Sequence, residues 1–119
     1  MAGFSSINRL KRKQEFQFVF NRPYKISNKY LLILFKPNQQ SRVKLGVMVG
    51  KRYVKRAVDR NQLKRVIRES FRHHKEDLKG LDIVVLIRSE CSTLGKKTWR
   101  NDINELWQAL LVSLKTVHC

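Results

Sequence analysis

Residues 59–72 place the strongest constraint on the fold of this chain of 119 residues. Apolar side chains recur there at helical spacing, which predicts an amphipathic helix that must bury one side against another element. Asp59, followed three residues later by Gln62, matches a capping box, so we predict that the helix begins at Asp59. The side predicted to be buried consists of Leu63, Val66, Ile67, Ser70 and Phe71.

The opposite side of this predicted helix is basic. Its side chains fall within an arc of about 140°, and each four-residue step along the row covers about 6 Å, near the phosphate spacing of a nucleic-acid strand. Glu69 is the only acidic residue after Asp59 in the segment. The alternative, a solvent-exposed helix face stabilised by salt bridges between residues four apart, is therefore disfavoured. The basic side comprises Arg60, Asn61, Lys64, Arg65, Arg68 and Arg72.

The overall charge points to the same kind of partner. The chain has 26 Lys and Arg against 9 Asp and Glu, a formal charge of +17, while 42% of its residues are hydrophobic. That hydrophobic content is too high for a disordered basic tail, so a folded body carries the charge. We predict one domain over residues 1–119, with residues 1–7 flexible, and a polyanionic partner that offsets the self-repulsion.

Membrane and secretory signals are missing from the sequence. The longest apolar runs, Tyr30–Phe35 and Ile83–Ile87, are far shorter than the roughly 20 residues of a membrane span. Cys91 and Cys119 are isolated cysteines, and we expect reduced thiols in a cytoplasmic protein, although a bridge between them is an alternative. The sequence therefore predicts a cytoplasmic protein with no membrane partner.

The other segments predict an α+β two-layer sandwich of order αββαβα. The two segments after the first helix are close in sequence, so we predict that they pair as an antiparallel hairpin. The segment Asp82–Arg88 is a predicted strand with apolar side chains on both faces, so we expect it at the centre of the sheet. In chain order these elements are a helix at Glu15–Phe20, strands at Tyr30–Lys36 and Arg42–Gly50, the basic helix, a strand at Asp82–Arg88, and a closing helix with Trp99 and Trp107 as core anchors.

Signatures of a protein active site are absent from the sequence. No Asp-x-Asp or Asp-x-Glu pair that could hold two metal ions lies on a predicted strand, and no Gly-rich phosphate loop occurs. His73, His74 and His118 lack partners at zinc-site spacing. We therefore predict neither catalytic residues nor a metal site in the protein.

Aromatic side chains form a second group of interest. Phe16, Phe18 and Phe20 precede a strand that places Tyr30, Leu32 and Leu34 on one face. Aromatic platforms beside basic grooves hold the bases of single-stranded nucleic acid. On the residue pattern alone, ordinary core packing is the favoured interpretation of this group.

The basic motif resembles a known family signature. Residues Arg60–Arg72, preceded by Lys51, Arg52 and Ala57, are similar to the signature of the bacterial ribonuclease P protein subunit. The resemblance extends over about residues 7–114. Further matching blocks are Asn8–Lys11, Glu15–Phe20, Arg42–Val47, Asp82–Val85 and the closing helix.

The resemblance implies a fold and a function beyond those patterns. The family folds as αβββαβα or αββαβα, like ribosomal protein S5, with a left-handed βαβ crossover where the general rule predicts a right-handed one. Its members assist a catalytic RNA that removes the 5′ leader of precursor tRNA, and the RNA holds the Mg²⁺ ions. A protein that is monomeric in a one-to-one complex with that RNA is expected.

Site residues follow from the resemblance. Leu34 departs from an aromatic residue of some members, and Gln62 departs from the usual third basic residue of the motif, which leaves only a neutral hydrogen bond there. The residues implied to bind the leader in a cleft are Phe16, Phe20, Leu32 and Leu34. Those implied to bind the catalytic RNA are Lys51, Arg52, Lys55, Arg56, Arg60, Asn61, Lys64, Arg65, Arg68 and Arg72.

Two other functions are compatible with the charge. A ribosomal protein or general RNA chaperone outside any enzymatic complex would show the same basic composition. A DNA-binding regulator could use Asp59–Arg72 as a recognition helix, but a lone helix flanked by strands lacks the preceding helix of a helix-turn-helix.

Overall fold

The computed structural model describes residues 9–117, without the side chains of Thr116 and Val117. The predicted flexibility of residues 1–7 and any bridge to Cys119 lie outside these residues. The described elements, in chain order, are α1 (Lys13–Phe20), β1 (Tyr24–Ser27), β2 (Leu31–Pro37), β3 (Lys44–Met48), α2 (Ala57–His74), β4 (Leu81–Ile87) and α3 (Lys96–Val117).

The α+β class is confirmed, and the order is αβββαβα, one of the two that the resemblance implies. The residue patterns alone predicted αββαβα, because they missed β1. This strand is only four residues long and mostly exposed, so its alternation is too short to be recognised from sequence. It pairs antiparallel with β2, where Tyr24 lies opposite Phe35 and stacks on its ring at a centroid distance of 5.6 Å.

The antiparallel hairpin predicted between Tyr30–Lys36 and Arg42–Gly50 is wrong. These segments contain β2 and β3. The sheet order is β1-β2-β4-β3, so β4 lies between β2 and β3, antiparallel to the first and parallel to the second. The physical reason is burial: Ile83, Val84 and Val85 are fully buried, and a strand that is apolar on both faces belongs at the centre of a sheet. The hand of the β3–α2–β4 crossover stays a prediction.

The main core lies between the sheet and the α2–α3 pair. Leu31, Ile33 and Phe35 point to this side of β2 and share one cluster with residues of α2 and α3. Trp99 and Trp107 are confirmed as core anchors, being 4% and 0% exposed. Helix α1 packs on the other face of the sheet, which makes it a partial third layer beyond the predicted two.

The predicted start of the basic helix is also wrong. Helix α2 begins at Ala57 with Arg56 as its N-cap, and Asp59 lies in the first turn. The N–H of Arg60 donates to the Arg56 carbonyl at 3.0 Å, so the helical hydrogen bonds start one turn before the Asp59–Gln62 pattern. The helix ends at His74, two residues after Arg72.

Candidate nucleic-acid interface

Helix α2 is held rigidly by its apolar side. Leu63, Ile67 and Phe71 have no exposed surface, and Val66 and Ser70 are buried with them, as predicted. Ser70 donates its hydroxyl to Asn104 of α3 and accepts a hydrogen bond of 2.9 Å from Trp107 Nε1. The opposite side of the helix therefore cannot rotate away from solvent without breaking the core.

The predicted basic row lies on the outer side of α2. Asn61 and Arg65 are exposed, whereas Lys64, Arg68 and Arg72 are half-buried along its flank. Half-burial restricts the long side chains, so less conformational entropy is lost when they bind a ligand.

Arg60 has a structural role that its sequence position did not predict. Its guanidinium donates to the carbonyls of Val54 and Lys55 at 3.1 and 2.7 Å. These two bonds tie the loop before α2 to the first turn of the helix. The loop residues in the predicted RNA surface are exposed, and Arg60 fixes the backbone of this loop at Val54 and Lys55; they are Lys51, Arg52, Lys55 and Arg56.

The basic row continues onto a segment distant in sequence. Leu10 N–H donates to the Leu45 carbonyl at 3.0 Å, and Arg9 bridges to Leu45 as in a parallel sheet. This backbone pairing brings Arg9 toward α2. Burial and the charge of Arg9 lower the pKa of Arg68. Arg9 was absent from the predicted site because no sequence pattern links it to α2.

A second neighbour of the row is the start of α3. Gln62 and Arg65 line a concavity of about 270 Å³ together with Lys96 and Arg100. Gln62, the departure from the family motif, thus faces the α3 side and not the Arg9 side. Lys96 and Arg100 were not predicted as site residues, because their helix was assigned to the core.

The residues predicted to form the leader cleft lie on α1 and on the face of β2 against which α1 packs. Val19 is the buried side chain of α1 and forms a small cluster with Leu10, Leu34 and Val84. Phe16 and Leu32 pack at the border of this cluster and are half-buried.

The four cleft residues differ in how much they expose. Phe20 is 43% exposed, whereas Leu34 is 6% exposed and belongs mainly to the core. Met48, which is 44% exposed, and the half-buried Leu86 extend the same apolar surface, since both share a cross-strand row with Leu32. The alternation of β3 could have indicated Met48.

Glycine at position 46 is what allows α1 to approach β3. A Cβ there would lie 2.5 Å from Cε1 and 2.8 Å from Cζ of Phe16. The absence of a side chain lets the Phe16 ring lie directly on the strand. This contact fixes one wall of the cleft.

The sides of α1 are chemically different. At 100° per residue, Phe16 and Phe20 share the flank that borders the cleft, while Gln14, Glu15 and Phe18 share the other. On that second flank, Lys36 Nζ lies 4.4 Å from the Phe18 ring centroid and donates to the Asn21 carbonyl at 2.8 Å. Phe18 is therefore not part of the cleft.

Two other features are absent from the described residues. Between residues 9 and 117, no three His, Cys, Asp or Glu side chains come together in a way that could hold a metal ion. In the same part of the chain, no helix combines the length and apolar character needed to span a membrane.

Comparison with known proteins identifies the family. The Ribonuclease P family model matches residues 4–111. The chain belongs to the ribonuclease P protein family. It is 41% identical over 109 residues to the ribonuclease P protein component of Pseudomonas aeruginosa, covering 91% of this chain and 81% of the relative. The corresponding protein of Pseudomonas paraeruginosa is 40% identical over the same length and coverage.

Solved structures of ribonuclease P proteins have a similar fold to this chain. The Staphylococcus aureus protein superimposes with a TM-score of 0.79 at 26% identity, covering 87% of this chain and 94% of that one. The Thermotoga maritima protein in complex with 1-(4-fluorophenyl)-2-thiourea gives a TM-score of 0.73 at 33% identity, with 87% and 96% covered. Membership of the family makes this an RNA-binding protein of tRNA processing and a component of an endoribonuclease complex.

Proposed function

We propose that this protein is the accessory subunit of ribonuclease P, binding the catalytic RNA through α2 and the 5′ leader of precursor tRNA through the cleft beside α1. The rigid basic side of α2 is the observation that supports this most directly. Its apolar side is fully buried at Leu63, Ile67 and Phe71, and the guanidinium groups of Arg65 and its neighbours suit bidentate contacts with phosphates.

The cleft has the chemistry expected for an unpaired RNA strand. Phe20 offers an exposed aromatic ring, and Leu32, Leu86 and Met48 offer an apolar floor. Stacking of a base on an aromatic side chain contributes about 1–3 kcal/mol. A leader strand is single-stranded, so its bases are free to stack.

Catalysis in this proposal belongs to the RNA. The described residues do not fit a metal centre, because no three potential ligand side chains converge. We assign the Mg²⁺ ions of the reaction to the RNA subunit, as the resemblance to the family implies. The role of the protein is to hold two polyanions together by neutralising their phosphates.

Reconstitution tests the division of labour. At low Mg²⁺, the purified protein alone is expected not to cleave precursor tRNA, and addition of a bacterial ribonuclease P RNA is expected to produce 5′ leader removal. Cleavage by the protein alone, or no gain when the protein joins the RNA, would overturn the proposal. Co-purification with ribosomal subunits in place of one structured RNA would support the ribosomal alternative.

The salt dependence of RNA binding tests the α2 face. Arg65→Ala is expected to reduce the slope of log Kd against log salt by roughly 0.7–0.9 if Arg65 contacts one phosphate. Lys97→Ala, an exposed change on α3, is the matched control and should leave the slope unchanged. Equal slopes for both variants would contradict the α2 assignment.

Leader recognition has its own pair of variants. Phe20 and Phe18 lie on opposite flanks of α1 with similar exposure, 43% and 39%. Phe20→Ala is expected to weaken binding of precursor tRNA more than binding of mature tRNA, whereas Phe18→Ala should leave that difference unchanged. Equal losses for the two RNAs in Phe20→Ala would argue against a leader cleft.

A further inference from the structure

A basic groove lies on the flank of α1 that faces away from the cleft. Its cavity of about 440 Å³ is bounded by the segment before α1, the start of α1 and β3. It adjoins a second cavity of about 350 Å³ that shares Glu15, Arg42 and Lys44. The cations that line the larger cavity are Arg9, Lys11, Arg12, Arg42 and Lys44.

Acidic side chains in the lining do not neutralise the positive charge of the groove. Its one acid, Glu15, accepts a hydrogen bond of 2.6 Å from Lys44 Nζ and further bonds from the backbone N–H groups of Arg12 and Lys11 at 2.9 and 3.0 Å. The Glu15 carboxylate is therefore used within the fold. Within the described chain, no ion pair is found for the side chains of Lys11 and Arg12, and both are exposed.

Folding brings these cations together at an electrostatic cost. They come from parts of the chain about 30 residues apart, in a protein with a formal charge of +17. Like charges that face one cavity repel each other, and a bound polyanion removes that repulsion. Arg42 is also oriented, because its Nε donates to Gln40 Oε1 at 2.7 Å.

The groove is continuous with the surface of α2. Arg9 lines the cavity and its backbone bridges to Leu45 of β3, the strand that precedes α2. Burial and then the charge of Arg9 lower the pKa of Arg68, consistent with Arg9 lying between the groove and α2. A single nucleic-acid strand or helix edge that contacts α2 can extend past Arg9 into the groove. This continuity favours RNA over an acidic protein as the occupant.

We infer that this groove, bordered by Lys11, Arg12 and Arg42, binds the phosphate backbone of RNA as a site separate from the leader cleft and from the α2 row. The inference rests on the proposed function, since RNA is the partner. Helix α1 then lies between two RNA-binding surfaces, one that takes bases and one that takes phosphates.

The decisive variant removes three exposed charges together: Lys11→Ala, Arg12→Ala and Arg42→Ala. The matched control, Lys75→Ala, Lys79→Ala and Lys97→Ala, lowers the net charge equally on the helical side of the protein. With ribonuclease P RNA and precursor tRNA as probes, the groove variant is expected to lose about 0.7 in salt slope per contact, or about 2 in total. The control is expected to keep the wild-type slope.

The two probes identify the source of the phosphates. A reduced slope with ribonuclease P RNA alone assigns the groove to that RNA, and a reduction only with precursor tRNA assigns it to the substrate; both support the inference. Groove and control variants with equal slopes overturn it. A loss of polyglutamate binding with RNA binding unchanged also overturns it, in favour of an acidic protein.

Two further measurements show whether a negative result comes from misfolding of the variant, from failure of the proposed function or from failure of the groove inference. Arg12→Ala alone should reduce the slope by about 0.7, and Arg12→Lys with Arg42→Lys should keep it while thermal unfolding stays at the wild-type midpoint. If the groove variants bind RNA as wild type while Arg65→Ala does not, the inference fails and the proposed function stands. If the wild-type protein binds neither RNA, the proposed function fails.

Discussion

The Oε2 atom of Glu15 in α1 lies 2.6 Å from Nζ of Lys44 in β3, and this ion pair joins the helix to the edge strand of the sheet. The hydrogen bond from Lys44, together with those from the Arg12 and Lys11 backbone, lowers the pKa of Glu15 from 4.5 to about 2. The pair is about one-fifth exposed, so solvent screens part of its attraction. It sets the position of α1 between the cleft and the basic groove.

Stability should therefore depend on the charge of Glu15. Because its folded-state pKa is depressed, the contribution is present above about pH 4.5 and is lost as the pH falls to about 2. Glu15→Gln is expected to lower the free energy of unfolding by about 1 kcal/mol at pH 7. Urea denaturation of both proteins should show the difference narrowing between these pH values.

The control for this prediction is Glu76→Gln, which removes an exposed ion pair with Lys79 and should leave the unfolding midpoint unchanged. A difference between wild type and Glu15→Gln that persists at pH 2 would show that the charge is not responsible.

Gly46→Ala is expected to displace Phe16 and destabilise the fold. The new Cβ would lie 2.5 Å from the Phe16 ring, and overpacking of this kind costs about 1–3 kcal/mol. Chemical denaturation measures the loss. In a Gly46→Ala, Phe16→Ala double variant, the total cost should be smaller than the sum of the single costs, because the clash is gone.

Gly50→Ala serves as the control, since nothing lies within 4 Å of its Cβ position. Additive costs in the Gly46 and Phe16 cycle would mean that the ring moves away freely, and that the cleft wall is not fixed by this contact.

Arg60 and Arg65 should respond differently to lysine. Arg60 donates to two carbonyls of the preceding loop through one terminal guanidinium nitrogen. A lysine Nζ lies one bond nearer its own backbone and does not reach that position, whereas Arg65 is exposed. Arg60→Lys is expected to lower the free energy of unfolding by about 0.5–1.5 kcal/mol and to weaken RNA binding. Arg65→Lys should keep the stability and most of the salt slope.

Thermal unfolding and RNA titration over a salt series measure both effects. Identical behaviour of the two lysine variants would show that the Arg60 bonds do not order the loop in solution.

Ser70→Ala is expected to loosen the contact between α2 and α3. The Ser70 hydroxyl bonds both Asn104 and Trp107, so its loss leaves a buried indole N–H without that acceptor, at a cost of about 1–3 kcal/mol. Urea denaturation of Ser70→Ala, Trp107→Phe and the double variant measures the coupling. An interaction energy near zero would contradict the shared network.

Periodicity identified the helices and the buried sides correctly. Leu63, Val66, Ile67, Ser70 and Phe71 are buried as predicted, because backbone geometry fixes side-chain directions within a helix. The same argument failed at the start of α2, where the Asp59–Gln62 pattern was favourable but Arg60 and the loop carbonyls supplied another beginning. A capping pattern therefore sets the start of a helix only when no other hydrogen bonds extend the helix toward its N-terminus.

The sheet order and the reach of the basic surface were not predictable in this way. The hairpin between β2 and β3 was inferred from a short connection, yet the fully buried residues of β4 gain more from the central position. Arg9, Lys96 and Arg100 joined the basic surface only through folding, since each lies on a segment with no periodic link to α2.

By itself, the sequence determined the α+β class, the identity and faces of the main helices, and a concentrated positive charge, because these depend on residue order within single elements. The tertiary structure decided which strands are neighbours, which flank of α1 carries apolar or basic side chains, and where Arg9 and Arg42 lie. Those outcomes depend on the competition among distant segments for buried positions, and that competition is settled only when the whole core forms.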